Sequence, residues 1–148
     1  MKRFALAFIG LSMIWACNNN APEEGSTETN AETTEASAAL RKEVMELHDK
    51  VMPEMAPIMN LANELTQASV GRADSVDFMT TATELRYAKE AMMTWMREFS
   101  SNFQDEWTEE EKVAFFKNEK AKMERIDLKT QEALAAGKDL MSTLNGAD

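Results

Sequence analysis

The chain has one cysteine, one histidine, three prolines and five glycines among 148 residues. A lone cysteine excludes an intramolecular disulfide, so outside the cytoplasm the fold has to be held by its core. A lone histidine excludes the paired Glu-x-x-His motifs of a carboxylate-bridged di-iron bundle. There is no HExxH, no GxSxG and no glycine-rich phosphate loop. These absences point away from an enzyme. Basic residues are also few, with 16 Lys and Arg against 26 Asp and Glu and a net charge of −10. Phosphate binding needs clustered Lys and Arg to displace counterions, so nucleic acid is excluded as a partner. Ala, Leu, Met, Glu and Lys are abundant instead, a composition that favours helix.

No apolar run reaches the roughly 20 residues that a membrane-spanning helix needs. The one at the start, Phe4 to Ala16, covers 13 residues and follows Lys2-Arg3. A basic n-region, a short apolar stretch and a small residue at the cut site form a secretory signal. Ile14-Trp15-Ala16-Cys17 resembles the lipobox of bacterial lipoproteins, whose signal is cleaved before a cysteine that then carries lipid. Trp15 is bulkier than that pattern usually shows. The resemblance implies a signal peptide over 1–16, lipidation of Cys17 and a diacylglycerol anchor. Cleavage removes Lys2 and Arg3 and no acid, so the net charge falls from −10 to −12. Attraction to an anionic bilayer therefore cannot hold the chain, and the lipid must.

Residues 18–35 read NNNAPEEGSTETNAETTE, with five glutamates and no large apolar side chain. Such a segment cannot bury enough surface to fold and is expected to be a disordered acidic tether. The remaining residues, 36–148, suffice for one packed domain.

Three amphipathic helices account for that domain. Val44, Leu47, Val51, Met55, Ile58, Ala62 and Leu65 step by three and four, which predicts a helix from about Ala36 to Ala68. Val70-Gly71-Arg72-Ala73 reads as a turn, with Asp74 or Ser75 as the next N-cap. Phe78, Leu85, Ala88, Met92, Met96, Phe99 and Phe103 mark a second helix, from about Ser75 to Phe103. Thr108-Glu109-Glu110-Glu111 reads as a capping box that opens the third. Val113, Phe116, Met123, Ile126, Ala133, Leu140 and Leu144 carry its stripe to a C-cap at Asn145-Gly146. Short turns predict an all-α, antiparallel three-helix bundle. Pro53 and Pro57 lie one turn apart on the side opposite the apolar stripe, where they should bend the first helix around the core. The charged residues Glu90, Lys89, Glu119 and Lys120 read as a solvated face.

The histidine sits in a methionine stripe, because Met45, His48, Met52, Met55 and Met59 step by three and four. Folding the first two helices as a hairpin brings His48 level with Met96, and Met52 level with Met92. Two readings stay open for His48, Met52, Met55, Met92 and Met96. Methionines fill irregular cores, in which case no cofactor is bound. Thioether and imidazole ligands also suit Cu(I), and the chain would then be a periplasmic copper-binding protein. Haem ligation by His48 and a methionine is a remoter option.

His48-Asp49-Lys50-Val51-Met52-Pro53-Glu54-Met55 and Met92-Met93-Thr94-Trp95-Met96-Arg97-Glu98-Phe99 resemble a group of small Bacteroidota lipoproteins often labelled viral A-type inclusion protein. The likeness covers about two thirds of the chain. It implies a cell-envelope location, on the periplasmic or outer-membrane face, and it marks both segments as a hallmark of the group. It implies no ligand and no activity. The expectation from the sequence is a non-enzymatic, membrane-anchored helical module that binds another envelope protein. Its aromatic end, with Trp95, Phe99, Phe103, Trp107 and Phe115, would supply the contact surface.

Overall fold

The apolar stripe from Val44 to Leu65 forms a helix in two pieces, and the break falls at the first proline. In a computed structural model that describes residues 26–145, α1 runs Ser26–Val51 and α2 runs Met55–Ala68. A single 3-10 turn, Met52–Glu54, joins them. Val51, Glu54 and Met55 all keep right-handed helical backbone angles, so the join changes the hydrogen-bond pattern without leaving helical space. Pro53 and Pro57 are both exposed, as their position opposite the stripe predicts. Pro57 is the third residue of α2, where a missing N–H leaves no extra donor unpaired.

α1 begins ten residues before the expected Ala36, at Ser26. Ser26 to Glu35 is helical backbone. Extending an existing helix adds one hydrogen bond per residue fixed, and acidic residues suit its positive N-terminal end. The rest of the expected tether, Cys17 and the signal segment lie outside the described residues, as does Gly146.

Ser69 to Asp74 reverses the chain. Gly71 sits at φ 74°, a left-handed angle that glycine adopts without steric cost. Asp74 is the N-cap residue of α3, Ser75–Asn102, but its side chain does not cap the helix. It forms a forked ion pair with Arg72 at 2.7 and 2.8 Å instead. Arg72 also lies 4.9 Å over the Phe78 ring, which pins the turn to the core. The capping box before α4, Glu109–Asn145, forms as expected. The Glu111 carboxylate accepts from the Thr108 backbone N–H at 2.8 Å, and the Glu111 N–H donates to the Thr108 hydroxyl at 3.3 Å.

The chain thus goes up along α1 and α2, down α3 and up α4, an all-α bundle with no strand among the described residues. The bend redirects the first limb. α1 packs along α4, whereas α2 packs chiefly on α3. Three side-chain contacts record the parallel run of α1 and α4: Ser37 with Glu109, Glu43 with Lys120, and Lys50 with Asp127. The core holds Val44, Val51, Ile58, Leu65, Phe78, Leu85, Met92 and Met123, all fully buried. Among the described residues no helix is long and apolar enough to cross a membrane.

Candidate functional site

Trp95 is where three helices meet. It projects from α3 and is 4% exposed, and its indole N–H donates to Glu119 of α4 at 2.8 Å. Glu119 is itself 2% exposed. Its other oxygen accepts from Lys122 at 2.8 Å and from Asn118 at 3.4 Å. A buried carboxylate is tolerated only when its oxygens are paired in this way. Glu119 is therefore not part of a solvated face, which corrects the reading from sequence. Lys120 and Glu90 are surface groups, and each does have ion-pair partners.

The ring of His48, from α1, lies 5.9 Å from Trp95, and its Nδ1 is hydrogen-bonded to Asp49 at 2.9 Å. His48 thus faces a residue one position from the expected Met96. The methionines divide between interior and margin. Met55 and Met92 are buried within the hydrophobic core, and Met52 and Met96 are half-buried against it. Among the described residues no group of three or more His, Cys, Asp and Glu side chains is placed to hold a metal ion. Cys17 lies outside the described residues.

The expected aromatic surface packs mainly on itself. Trp95 and Phe99 have ring centroids 4.9 Å apart, and Phe103 lies within 6 Å of Trp107, Phe115 and Phe116. Phe99, Phe103, Trp107 and Phe115 are half-buried, so this end of the bundle is a closed aromatic cluster with partly wetted rims.

The open surface lies elsewhere, along the outer seam of α3 and α4. A groove of about 920 Å³ runs there, floored by Trp95, Ile126 and the alanines at 88, 91, 133 and 136. Glu84, Glu90 and Glu98 stand on the α3 wall, and Lys122, Arg125, Lys129 and Glu132 on the α4 wall, which is therefore mainly basic. Arg97 and then Thr94 hydrogen-bond the Glu90 carboxylate and hold its pKa below the usual carboxylate range. Among the described residues Glu84, Glu98, Arg125 and Lys129 make no ion pair within the chain. Tyr87 stands at the lip, 70% exposed. Alanine on both walls leaves room for a close-packed helix, and the charged rims can fix its register.

The sequence did carry a signal for the buried polar residues, in the gaps of the α4 stripe. Phe116, Met123, Ile126 and Ala133 leave out positions 119, 130 and 137, which complete the steps of three and four. Those positions hold Glu119, Thr130 and Gly137, and all three are buried. Glu119 receives Trp95, and a Cβ on Gly137 would come within 2.6 Å of Leu61, so glycine there lets α2 and α4 approach. Thr130 has a buried hydroxyl without a partner.

No protein-family model, curated protein or solved structure matches the chain.

Proposed function

We propose that this chain is a lipid-anchored cell-envelope protein that works without catalysis, as a protein-interaction module, and that its contact surface is the α3–α4 groove. The observation that carries this reading is the groove itself. It combines an alanine-rich apolar floor with an acidic wall and a mainly basic one, a composition that suits a docked helix better than a small polar substrate. The surface moves from the aromatic end to this seam because the aromatic rings are mutually packed, whereas Ala91, Ala136 and the charged walls of the groove are open to solvent. Trp95 is common to both. Its fixation by Glu119 and His48 supports the reading, since a rigid base under the groove keeps the ordering cost of binding low. The lipid on Cys17 would hold the module at the membrane. The net charge of −12 left after cleavage would keep the remainder of its surface off anionic lipid.

A photo-cross-linking residue placed at Tyr87 in living cells tests this. The expected result is a discrete cross-linked protein species that does not form from the same residue placed at Leu128, which is 58% exposed and outside the groove lining. No species at Tyr87, or the same pattern from both positions, would overturn the assignment.

A further inference from the structure

The groove's charges restrict what can fill it. α3 and α4 are antiparallel, and the Trp95–Glu119 hydrogen bond sets their register. Counted from that contact, Glu84 lies level with Lys129, and Glu90 level with Arg125. Although these groups are level, they form no ion pair across the groove within the chain. Glu90 pairs instead with Arg97 on its own helix, at 3.0 Å.

We infer that the occupant is the same groove of a second copy of this chain, related by a twofold axis running along the helices. The inference rests on the groove being the contact surface. A twofold axis in this direction preserves height and exchanges left for right. It therefore sets the acidic α3 wall of one copy against the α4 wall of the other, where Lys122, Arg125 and Lys129 outnumber Glu132. Glu84 then faces Lys129 of the second copy, and Glu90 faces Arg125 of the second copy, twice over by symmetry. A twofold axis across the groove would instead set acid on acid and base on base. The charge pattern thus selects one of the two face-to-face arrangements. The alanines let the four helices close up, and Tyr87 from each copy occupies the space along the seam.

Two further features agree with a like partner. The groove carries four acidic and three basic side chains, close to balance on a chain whose net charge is −12 once the signal is removed, so like-charge repulsion opposes pairing through it only weakly. An axis along the helices also leaves both α1 N-termini at the same end, so two lipid anchors can enter one membrane. The α3 wall from Glu84 to Glu98 is about 21 Å long. An interface of that length is small and suits a reversible dimer in solution, with tethering to a membrane raising the effective concentration.

The buried core comes almost entirely from residues 44–134, so a chain beginning at residue 18 keeps the fold and lacks Cys17. Sedimentation equilibrium of that chain should show a monomer–dimer equilibrium. Glu84→Lys with Glu90→Lys leaves basic residues in excess on both walls, and Arg125→Glu with Lys129→Glu leaves acidic residues in excess on both. Each double variant should be monomeric alone while keeping its helical circular dichroism and melting transition, and an equimolar mixture should restore the dimer. Wild-type protein that stays monomeric, variants that still dimerise, or a mixture that fails to recover would each overturn the inference. Monomeric protein that still cross-links at Tyr87 to a different protein would overturn the second copy and leave the groove reading intact. Loss of both results would remove both.

Discussion

Trp95 and Glu119 stand 24 residues apart in sequence and are joined by a 2.8 Å hydrogen bond inside the bundle. The bond does two things. It fixes the register of α3 against α4, and it satisfies the Glu119 oxygen that Lys122 and Asn118 do not reach. Lys122, itself 29% exposed, supplies the compensating charge from the margin of the groove. One buried carboxylate thereby connects the core to the candidate contact surface.

Trp95→Phe keeps most of the ring and removes the donor. It should destabilise the bundle by about 1–3 kcal/mol, since Glu119 is left short of a partner. Glu119→Met should also destabilise when made alone. The double variant should cost clearly less than the sum of the two, because replacing both partners by apolar groups leaves nothing unsatisfied. Urea denaturation of the four proteins measures this coupling. Additivity within about 0.5 kcal/mol would show that the bond contributes nothing.

Most of the apolar framework was legible in the residue pattern. Six of the seven stripe positions from Val44 to Leu65 are buried, and Leu47 is half-buried against them. Steps of three and four leave a helix few other faces to bury. The bend at Pro53 and the capping box at Thr108 were equally legible, because each is a local consequence of one residue type. The buried role of Glu119 was not read, since the group that stabilises it lies on another helix and the residue otherwise resembles its exposed neighbours. The groove was not legible either. It depends on how far α3 and α4 splay, which no single stripe encodes. The early start of α1 was missed because composition reports what cannot pack, while helix extension needs no packing.

Gly137 should resist substitution. Alanine has higher helix propensity by about 1 kcal/mol, but its Cβ would lie 2.6 Å from Leu61 Cδ2 and 3.3 Å from Leu85 Cδ1. Leu85 is fully buried and cannot move aside, so overpacking of about 1–3 kcal/mol should prevail. Gly137→Ala is therefore expected to lower the thermal midpoint, and adding Leu61→Ala should remove part of the penalty. A midpoint that rises in Gly137→Ala alone would show that the leucines repack freely.

Pro53→Ala should act in the opposite direction. The backbone at Val51, Glu54 and Met55 is already helical, so alanine can adopt the same path and supply the missing donor. A propensity gain of about 3 kcal/mol, less about 1 kcal/mol for the freer unfolded chain, leaves a net stabilisation of ~1–2 kcal/mol. Pro57→Ala should change little, because its nitrogen lies in the first turn of α2. A clear fall in the midpoint of Pro53→Ala would mean that the bend itself is needed to carry α1 onto α4.

Cys17→Ala addresses the anchor, motivated by Ile14-Trp15-Ala16-Cys17. The variant should lose incorporation of a fatty-acid probe and leave the membrane fraction, since a chain of net charge −10 has no electrostatic hold on anionic lipid. Labelling and membrane retention equal to wild type would rule out the lipoprotein reading.

The methionines offer the sharpest contrast between packing and chemistry. Met92 is fully buried and Met55 is 7% exposed, and both belong to the hydrophobic core. Met92→Ala should therefore cost ~2–5 kcal/mol through lost contacts and a cavity. His48→Ala should cost less, because the ring is partly exposed and meets Trp95 in a tilted contact with centroids 5.9 Å apart. A Cu(I) site made of His48, Met52, Met92 and Met96 would behave differently. It would bind about one equivalent under reducing conditions and lose that endpoint in His48→Ala. It would also raise stability by ~2.7 kcal/mol at a hundredfold excess over the dissociation constant. Packing predicts no saturable endpoint and a stability unchanged by the ion. Titrating the chain from residue 18 with Cu(I), and melting it with and without the ion, separates the two. The expected outcome is a costly Met92→Ala with no His48-dependent binding, and a tight endpoint lost in His48→Ala would reverse that assignment.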